Sequence, residues 1–371
     1  MMNGHADSVA LAPTNDISRS SGEAVMLLMS GGVDSSVSTH LIKEMGFAVI
    51  GVTMQMSRSG DGGHSKAVIE AAGVARQLGV PHYRADVADA FEELVVEKFR
   101  TSYANGLTPN PCVDCNINIK FGLLWDIGRK RLGIRKMATG HYARILKDGD
   151  DMRLARAADK AKDQSYFLSG IAKEMLANII FPLCEKTKTE VRATAARLGL
   201  HVAQKTESME LCFAGGGNYR AMLGLEHADN EGPLLNMKGE RIGTHKGVAN
   251  YTIGQRRGLG FAGGEPLYVG AIDPVGNTVT LGTKSEVCSR VVTAANVNIL
   301  MPKEYRIGTP AAGKLRSYGG GRACAIVRAD AEVMSVRFEE EEFAPCPGQR
   351  LVIYDDADCV IAGGTITGSE A

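Results

Sequence analysis

The sequence lacks the features of membrane and secreted proteins. Its 371 residues hold no apolar run near the roughly 18 residues that a membrane-spanning helix needs. Its first 24 residues are small and polar, without the basic-then-apolar pattern of a signal peptide, and predict a disordered tail. Eight cysteines in a chain this long do not form the disulfide framework of a small secreted domain. These absences predict a cytoplasmic protein that does not contact a membrane.

An excess of one charge is also missing. The chain has 42 Lys and Arg against 42 Asp and Glu, so its net charge is zero, which neither requires nor excludes a nucleic acid partner. Residues 117–136 are locally basic, however, because they hold six basic side chains and one acidic side chain, Asp126. This segment predicts either a solvated helix face or a surface for nucleic acid phosphates.

A further absence concerns the sequence VMLLMSGGVDSS at residues 25–36. It lacks the lysine of the phosphate-binding loop G-x-x-x-x-G-K-S/T, which favours a loop that holds pyrophosphate over one that cleaves a γ-phosphate. The pattern predicts a buried parallel strand, a tight Gly-Gly turn and a helix, with backbone N–H groups and the hydroxyls of Ser30, Ser35 and Ser36 as anion donors. Asp34 beside a phosphate predicts a ligand for Mg²⁺, directly or through water. A strand-to-helix turn without a ligand is the alternative.

Strand and helix patterns alternate up to about residue 215. This alternation predicts an α/β fold, a doubly wound parallel sheet with ligands at the carboxyl ends of its strands. Residues 106–116, with two prolines, predict a functional loop that is neither helix nor central strand. Beyond residue 215, frequent glycines and short alternating segments predict antiparallel strands. The expected organisation is a tail at 1–24, an α/β catalytic domain at 25–215, a small β-rich central domain at 216–285 and a β-barrel-like domain at 286–371.

Three cysteines stand in contexts that suggest reactivity. Cys112 and Cys115 form a C-x-x-C on the Pro-rich loop, and Cys212 lies in ESMELCF. C-x-x-C alone predicts a redox pair or half of a metal site. No second C-x-x-C or H-x-x-x-H spacing completes a structural zinc site. The remaining five cysteines predict buried, inert thiols.

Nine segments, which span roughly residues 25 to 357, carry a family pattern: SGGVDSS, GVTM, TPNPCVDCNINIKF, ATGHYAR, KDQSYFLSG, FPLCEKTKTEVR, ESMELCFAGG, YTIGQRRGLG and PGQRLVIYD. In order and approximate spacing they resemble the tRNA-specific 2-thiouridylases of the PP-loop ATP pyrophosphatase superfamily. The resemblance implies ATP-dependent 2-thiolation of the wobble uridine, position 34 of tRNA, through an adenylated base and a cysteine persulfide. The implied partners are tRNA and a sulfur-donor protein or persulfide carrier.

The resemblance also implies roles for individual residues. Cys115 would be the nucleophile and Cys212 the persulfide carrier, and the two could finish as a disulfide. The implied ATP-binding residues are Leu28, Met29, Ser30, Gly31, Gly32, Val33, Asp34, Ser35, Met54 and Gly140. Those implied for the target base or the rest of the tRNA are Asn110, Pro111, Cys112, His141, Lys162, Asp163, Gln164, Arg316, Ser317 and Gln349. On the residues alone, His141 could instead be a satisfied core histidine, Gln349 a barrel-turn side chain and Arg316 a surface charge.

The chain departs from the family pattern at two positions. Many members carry aspartate where this chain has Cys112, so this thiol is predicted either to handle protons or relay persulfide, or to bind a 4Fe-4S cluster together with Cys115 and Cys212. Ser317 stands where an aromatic side chain is common, which puts that tRNA contact in doubt. Two other functions remain open, another PP-loop adenylating ligase, which needs no paired thiols, and a non-catalytic RNA-binding protein.

Overall fold

The computed structural model describes residues 3–57, 64–206, 212–213, 230–260 and 264–370. The chain divides into two compact units. The first comprises Met1–Val95 and Cys112–Phe213, and the second comprises Val96–Pro111 and Ala214–Ala371. No helix among the described residues is long and apolar enough to span a bilayer.

The first unit is built on a six-stranded, mostly parallel sheet. In spatial order its strands are β1 (Ala10–Pro13), β4 (His82–Asp86), β3 (Ala48–Gln55), β2 (Ala24–Leu28), β5 (Lys136–Thr139) and β8 (Ile179–Ile180). Only β1 pairs antiparallel. All five side chains of β2 are buried, as expected for a central strand covered on both faces. The predicted doubly wound parallel sheet is therefore confirmed.

Helices cover both faces of this sheet. The α-helices of the first unit are α1 (Asn3–Ser8), α2 (Val33–Glu44), α3 (Lys66–Gln77), α4 (Ala88–Phe91), α7 (Leu124–Leu132), α8 (Ser165–Leu168) and α9 (Lys188–Arg197). The π-helices Glu92–Val96 and Cys115–Leu123, the 3₁₀ helix Lys173–Asn178 and the ribbon of β6 (Ala143–Asp148) with β7 (Asp151–Arg156) complete the regular elements described. Helix α9 begins at the predicted capping box, in which Thr187 and Glu190 bond reciprocally.

The amino-terminal residues differ from the expected disordered tail. Residues 3–8 form a helix, and β1 pairs with β4 at the sheet edge, from Ala10 opposite Asp86 to Pro13 opposite Tyr83. Two small apolar side chains, Ala6 and Val9, are buried. An edge strand needs only backbone partners and a few apolar contacts. The polar composition of residues 1–24 therefore did not reveal strand β1.

The Pro-rich segment also differs from the expected loop. A helix, α6 (Pro111–Asp114), begins at the second proline, and the chain continues through the π-helix into α7. Proline is favoured at the first position of a helix, where no N–H donor is needed. Cys112 and Cys115 are therefore three residues apart on a helix and lie on the same side of it.

The second unit contains the antiparallel β structure predicted beyond residue 215. One sheet has the spatial order β10 (Arg241–His245), β9 (Gly232–Asn236), β12 (Thr278–Gly282) and β11 (Tyr268–Asp273), with only β9 and β12 parallel. The other is a closed barrel in the order β13 (Cys288–Ile299), β16 (Val333–Phe343), β15 (Arg322–Ala329), β14 (Pro310–Lys314), β17 (Arg350–Tyr354) and β18 (Val360–Glu370). Helix α5 (Glu97–Ala104) and the 3₁₀ helix Val248–Asn250 also belong to this unit. The predicted small β-rich region and β-barrel are thus confirmed as fold elements.

Candidate active site

The phosphate-cradle sequence lies where the order of the parallel strands reverses. Strands β3 and β4 extend the sheet on one side of β2, and β5 and β8 extend it on the other. Ligands of open α/β sheets bind in the crevice at the carboxyl ends of the strands flanking such a reversal. The turn after β2 and Gly140, which follows β5, lie at this point. The fold therefore places SGGVDSS at the expected ligand crevice.

The cradle depends on Gly31 rather than on Gly32. Gly31 has a φ of +70°, and a Cβ there would lie 2.9 Å from the carbonyl oxygen of Ala67. At Gly32 the nearest such neighbour is the Ser30 hydroxyl, at 3.3 Å. Gly140 is equally constrained, because its Cβ would lie 2.9 Å from the backbone N of Ser35. These two glycines let the turn approach α3 and the loop after β5.

The serines of the cradle divide into two groups. The hydroxyls of Ser30 and Ser35 lie 3.3 Å apart, and Ser35 Oγ accepts the Ser30 N–H at 3.2 Å. Ser36 is fully buried and its hydroxyl donates to the Gly32 carbonyl at 2.8 Å. Gly32 is the N-cap of helix α2, and no side chain caps the helix there in the structure as described. The first N–H groups of α2 and the hydroxyls of Ser30 and Ser35 are therefore the groups of this turn that could donate to an anion.

Two lysines that sequence reasoning did not identify reach the cradle. Lys188 Nζ, from the start of α9, lies 2.7 and 2.8 Å from the two carboxylate oxygens of Asp34. The Tyr142 hydroxyl donates to the same carboxylate at 2.9 Å. Lys205 Nζ donates to the Gly31 carbonyl at 3.1 Å and also pairs with Glu70. Each of these ammonium groups is paired with a carboxylate, Lys188 with Asp34 and Lys205 with Glu70, beside a turn that lacks its own lysine.

The other implied ATP residues occupy different environments. The side chains of Leu28, Met29 and Val33 are buried in the core, so only their main chains could meet a nucleotide. Met54 is half-buried near the end of β3. These placements leave backbone donors and small side chains as the polar lining of the crevice.

The three reactive cysteines influence one another electrostatically. Burial raises the pKa of the Cys115 thiol to about 11, and the Lys120 ammonium opposes this rise, while Cys212 and Cys112 add to it. Partial desolvation by neighbouring atoms likewise raises the pKa of both Cys112 and Cys212, although these side chains keep contact with solvent, and Lys120 again opposes the rise. Cys112 and Cys212 are exposed, whereas Cys115 is buried. The first unit thus holds two accessible thiols and one inaccessible thiol near a single ammonium group.

Lys120 is held by its neighbours. Its Nζ donates to Asn116 Oδ1 at 2.9 Å and lies 3.5 Å from His141 Nε2. His141 Nδ1 lies 2.7 Å from the Thr139 hydroxyl, and burial, with Lys120 second, lowers the pKa of His141 well below its usual value. His141 is therefore a neutral acceptor for Lys120. The sequence showed Lys120 only as part of a basic segment.

The segment Lys162-Asp163-Gln164, implied for tRNA contact, organises the loop after β7. Asp163 is buried, and its carboxylate accepts the N–H groups of Ala157 and Ser165 at 3.2 and 3.1 Å. Gln164 Oε1 accepts the Tyr142 N–H at 3.0 Å, which supports the tyrosine that donates to Asp34. Lys162 is half-buried.

The implied tRNA contacts of the second unit are engaged within that unit. Arg316 donates to the carbonyls of Phe343 and Ala344 at 3.1 and 3.2 Å, and Ser317 beside it is half-buried. Gln349 Nε2 donates to the Thr108 carbonyl at 3.0 Å. Asn110 is half-buried and Pro111 buried.

The residues described offer few metal ligands. Within these ranges no group of three or more His, Cys, Asp or Glu side chains converges as a metal site. The described part of the chain therefore does not assemble the three-cysteine set that a 4Fe-4S cluster would need. Asp34 is a single carboxylate whose oxygens already face Lys188 and Tyr142. A Mg²⁺ ion there would depend on oxygens from a bound nucleotide.

Family models match three consecutive parts of the chain. The tRNA methyl transferase HUP domain matches residues 23–216, the tRNA methyl transferase PRC-barrel domain matches residues 221–283, and the Aminomethyltransferase beta-barrel domain matches residues 289–366. The matches follow the order of the parallel sheet, the four-stranded sheet and the barrel.

Full-length relatives share about two fifths of their residues with this chain. It is 40% identical over 354 residues to the tRNA-specific 2-thiouridylase MnmA of Pelotomaculum thermopropionicum, covering 92% of this chain and 96% of that protein. It is 42% identical over 364 residues to the protein of the same name from Moorella thermoacetica, covering 92% and 98%. The corresponding protein of Salinibacter ruber is 40% identical over 363 residues, covering 92% and 94%.

Proposed function

The chain belongs to the tRNA-specific 2-thiouridylase family, and from this premise we propose that it replaces the C2 oxygen of the wobble uridine of tRNA with sulfur. It is an ATP-dependent tRNA sulfurtransferase. The observation that supports the proposal is that the first unit contains both the Gly31 turn at the carboxyl end of β2 and the thiols of Cys112, Cys115 and Cys212, which affect one another's pKa. Two of the matching family models carry the name tRNA methyl transferase. The full-length relatives are named 2-thiouridylases, and cysteine thiols are the groups that sulfur transfer needs.

In the first step, uridine O2 attacks the α-phosphorus of ATP, and the bond from that phosphorus to the bridging oxygen of pyrophosphate breaks. The N–H groups at the start of α2 and the hydroxyls of Ser30 and Ser35 bind the leaving pyrophosphate. Lys188 and Lys205 supply the positive charge that the absent P-loop lysine would supply. Met54 and Gly140 would line the adenosine. Mg²⁺, held by Asp34 directly or through water, would neutralise phosphate charge.

In the second step, the terminal sulfur of a Cys212 persulfide attacks C2 of the adenylated base. AMP leaves with the former O2, and Cys115 attacks the inner sulfur of Cys212. The S–S bond of the persulfide breaks, its terminal sulfur stays on the base, and Cys115 and Cys212 finish as a disulfide. Their two thiol groups supply the two electrons that reduce the transferred sulfur, and an external thiol resets the pair. Release of hydrosulfide by Cys115 before attack on C2 gives the same balance.

Access to the thiols suggests how sulfur arrives. A sulfur-donor protein or persulfide carrier can reach Cys112 and Cys212, which are exposed, but not buried Cys115. Either exposed thiol can accept the sulfur, and Cys112 is assigned the relay of persulfide to Cys212. Lys120 stabilises each thiolate as it forms, because its ammonium opposes the effect of burial on all three thiols.

The tRNA residues follow the family assignment. Asn110, Pro111 and Cys112 would meet the flipped uridine, whose removal from the anticodon stack costs a few kcal/mol. His141, Lys162, Asp163 and Gln164 of the first unit, and Arg316, Ser317 and Gln349 of the second, would contact the tRNA. Within the first unit, the hydrogen bonds of Asp163 and Gln164 fix the conformation of their own segment.

Thiolation of tRNA transcripts with ATP and labelled persulfide tests this proposal. The wild-type protein should form 2-thiouridine at position 34, releasing pyrophosphate only when tRNA is present. Cys112→Ala should slow the transfer, whereas Cys184→Ala, a cysteine outside the three, should not. Protein purified anaerobically should be analysed for iron and sulfide, because activity that depends on a 4Fe-4S cluster would contradict the persulfide relay.

A further inference from the structure

The segment that leads into Cys112 has few ways to hold its own shape. Residues 106–111 follow α5 and contain Pro109 and Pro111, which have no N–H donors. Its first two N–H groups bond back to α5, Gly106 to the Tyr103 carbonyl and Leu107 to the Ser102 carbonyl, both at 3.0 Å. From Thr108 onward, the backbone bonds of the segment go to the β structure of the second unit.

The barrel turn of residues 346–349, between β16 and β17, is itself fixed. The Gly348 N–H donates to the Ile366 carbonyl at 2.9 Å, and the Ile366 N–H donates to the Gln349 carbonyl at 2.8 Å. The Gln349 N–H donates to the Cys346 carbonyl at 3.1 Å. The backbone of Gly348 and Gln349 is thus bonded to a strand of the closed barrel, which fixes the point from which the Gln349 side chain extends.

This turn satisfies the polar backbone groups of the segment. The Thr108 N–H donates to the Pro347 carbonyl at 2.9 Å. Gln349 Nε2 donates to the Thr108 carbonyl at 3.0 Å and lies 3.5 Å from the Pro109 carbonyl. This contact between the turn and Thr108 requires glycine at position 348, because a Cβ there would lie 2.8 Å from the Thr108 nitrogen, and the φ of Gly348 is +94°.

A second glycine fixes the other end of the segment. Gly106 has a φ of +70°, and a Cβ there would lie 2.9 Å from Pro274 Cγ and 3.2 Å from Ile272 Cγ2. Residues 106–109 are therefore held at two points, by the strand end near Pro274 and by the barrel turn. Three residues after Pro109 the chain reaches Cys112.

We propose that Gln349 is a positioning residue, which clamps Thr108 and Pro109 and thereby sets the conformation of Asn110 and Pro111, the two residues that lead into Cys112. This role differs from the direct tRNA contact that the family resemblance implies for Gln349. It rests on the proposed function for its effect on catalysis, but the clamp itself is a property of the folded chain. Its two parts can be tested separately.

Hydrogen–deuterium exchange of the intact protein without tRNA tests the clamp. Gln349→Leu should speed exchange at residues 104–110, and Gly348→Ala should speed it more, because its Cβ displaces Thr108. Gln77→Leu is the matched control, since Gln77 also donates to backbone carbonyls, those of Leu198 and Gly199, on an exposed helix end. Unchanged exchange at 104–110 in both Gln349→Leu and Gly348→Ala would overturn the clamp.

Kinetics distinguish positioning from tRNA binding. Gln349→Leu should lower kcat for thiolation by about tenfold to a hundredfold, as expected for a misplaced reacting group, with the Kd for tRNA within about twofold of wild type. Gln349→Glu, which cannot donate to the carbonyls, should be at least as slow. A weakened Kd with unchanged kcat would overturn the positioning role in favour of tRNA contact. Absence of thiolation by the wild-type protein would instead refute the proposed function, and the exchange result would still decide the clamp.

Discussion

The ion pair of Lys188 and Asp34 gives the sharpest prediction about the phosphate cradle. The lysine side chain is 13% exposed and the aspartate 33% exposed, so the pair is neither a surface pair nor a fully buried one. Breaking a fully buried pair costs about 3–5 kcal/mol and an exposed pair contributes about 0–1 kcal/mol. We therefore expect Lys188→Met to lower the free energy of unfolding by about 2 kcal/mol, between these limits.

A double-mutant cycle isolates the interaction. Lys188→Met, Asp34→Asn and the double variant should show a coupling energy of about 1–2 kcal/mol, because the double variant leaves no unpaired charge. Urea unfolding followed by the fluorescence of Trp125, the one tryptophan of the chain and part of the first unit, measures it. Lys173 and Asp151, an exposed pair 3.0 Å apart, provide the control cycle, with an expected coupling of roughly 0.5 kcal/mol or less.

The same variants test whether the Lys188 ammonium group contributes to catalysis. Lys188→Met and the double variant should both release pyrophosphate slowly in the presence of ATP and tRNA, because each lacks the ammonium group beside the cradle. Restoration of stability without restoration of activity would show that the two effects are separate. A coupling energy no larger than that of the control cycle, or pyrophosphate release at the wild-type rate in Lys188→Met, would refute the reasoning.

Three further predictions concern single side chains. Lys120→Met should slow alkylation of the exposed thiol of Cys112 by iodoacetamide at pH 8, because the ammonium group partly offsets the rise that desolvation causes in the pKa of that thiol; an unchanged rate would contradict this. Gly31→Ala should raise the Kd for ATP about fivefold to thirtyfold more than Gly32→Ala in calorimetry, since strain of about 1–2 kcal/mol arises only at the positive φ; equal effects would be inconsistent with the geometry. Burial lowers the pKa of His82 from 6.5 to about 4, so the unfolded chain takes up a proton first as the pH falls. Stability should be complete above pH 6.5 and fall towards pH 4 by about 3 kcal/mol, and His82→Gln should flatten this dependence in urea titrations at several pH values.

Local patterns predicted the central elements of the α/β sheet but missed its edge strand β1. The apolar run before Ser30 predicted β2, and the Thr187 capping box predicted the start of α9, because both signals lie within a few residues of the element they define. The Pro-rich segment was predicted wrongly beyond Pro111, since the same proline that ends one helix can begin another. Which outcome occurs depends on tertiary contacts.

The site was only partly predictable for a different reason. The cradle and the thiols carry recognisable spacing, whereas Lys188 and Lys205 reach it from 154 and 174 residues away along the chain. One signal for Lys188 was present, because a lysine at the first position of a helix opposes the helix dipole and so suggests a nearby anion. For Gln349 the sequence offered no sign that its partner would be the backbone of Thr108.

Product formation by Cys212→Ala tests the central claim most directly. The variant should be mixed with ATP, tRNA transcript and labelled persulfide, and both pyrophosphate and 2-thiouridine should be measured. We predict release of up to one equivalent of pyrophosphate per tRNA, because the ATP site is intact and the base is still adenylated. We predict no 2-thiouridine, because no persulfide can form on residue 212. Full formation of 2-thiouridine by this variant would contradict the sulfur-transfer mechanism.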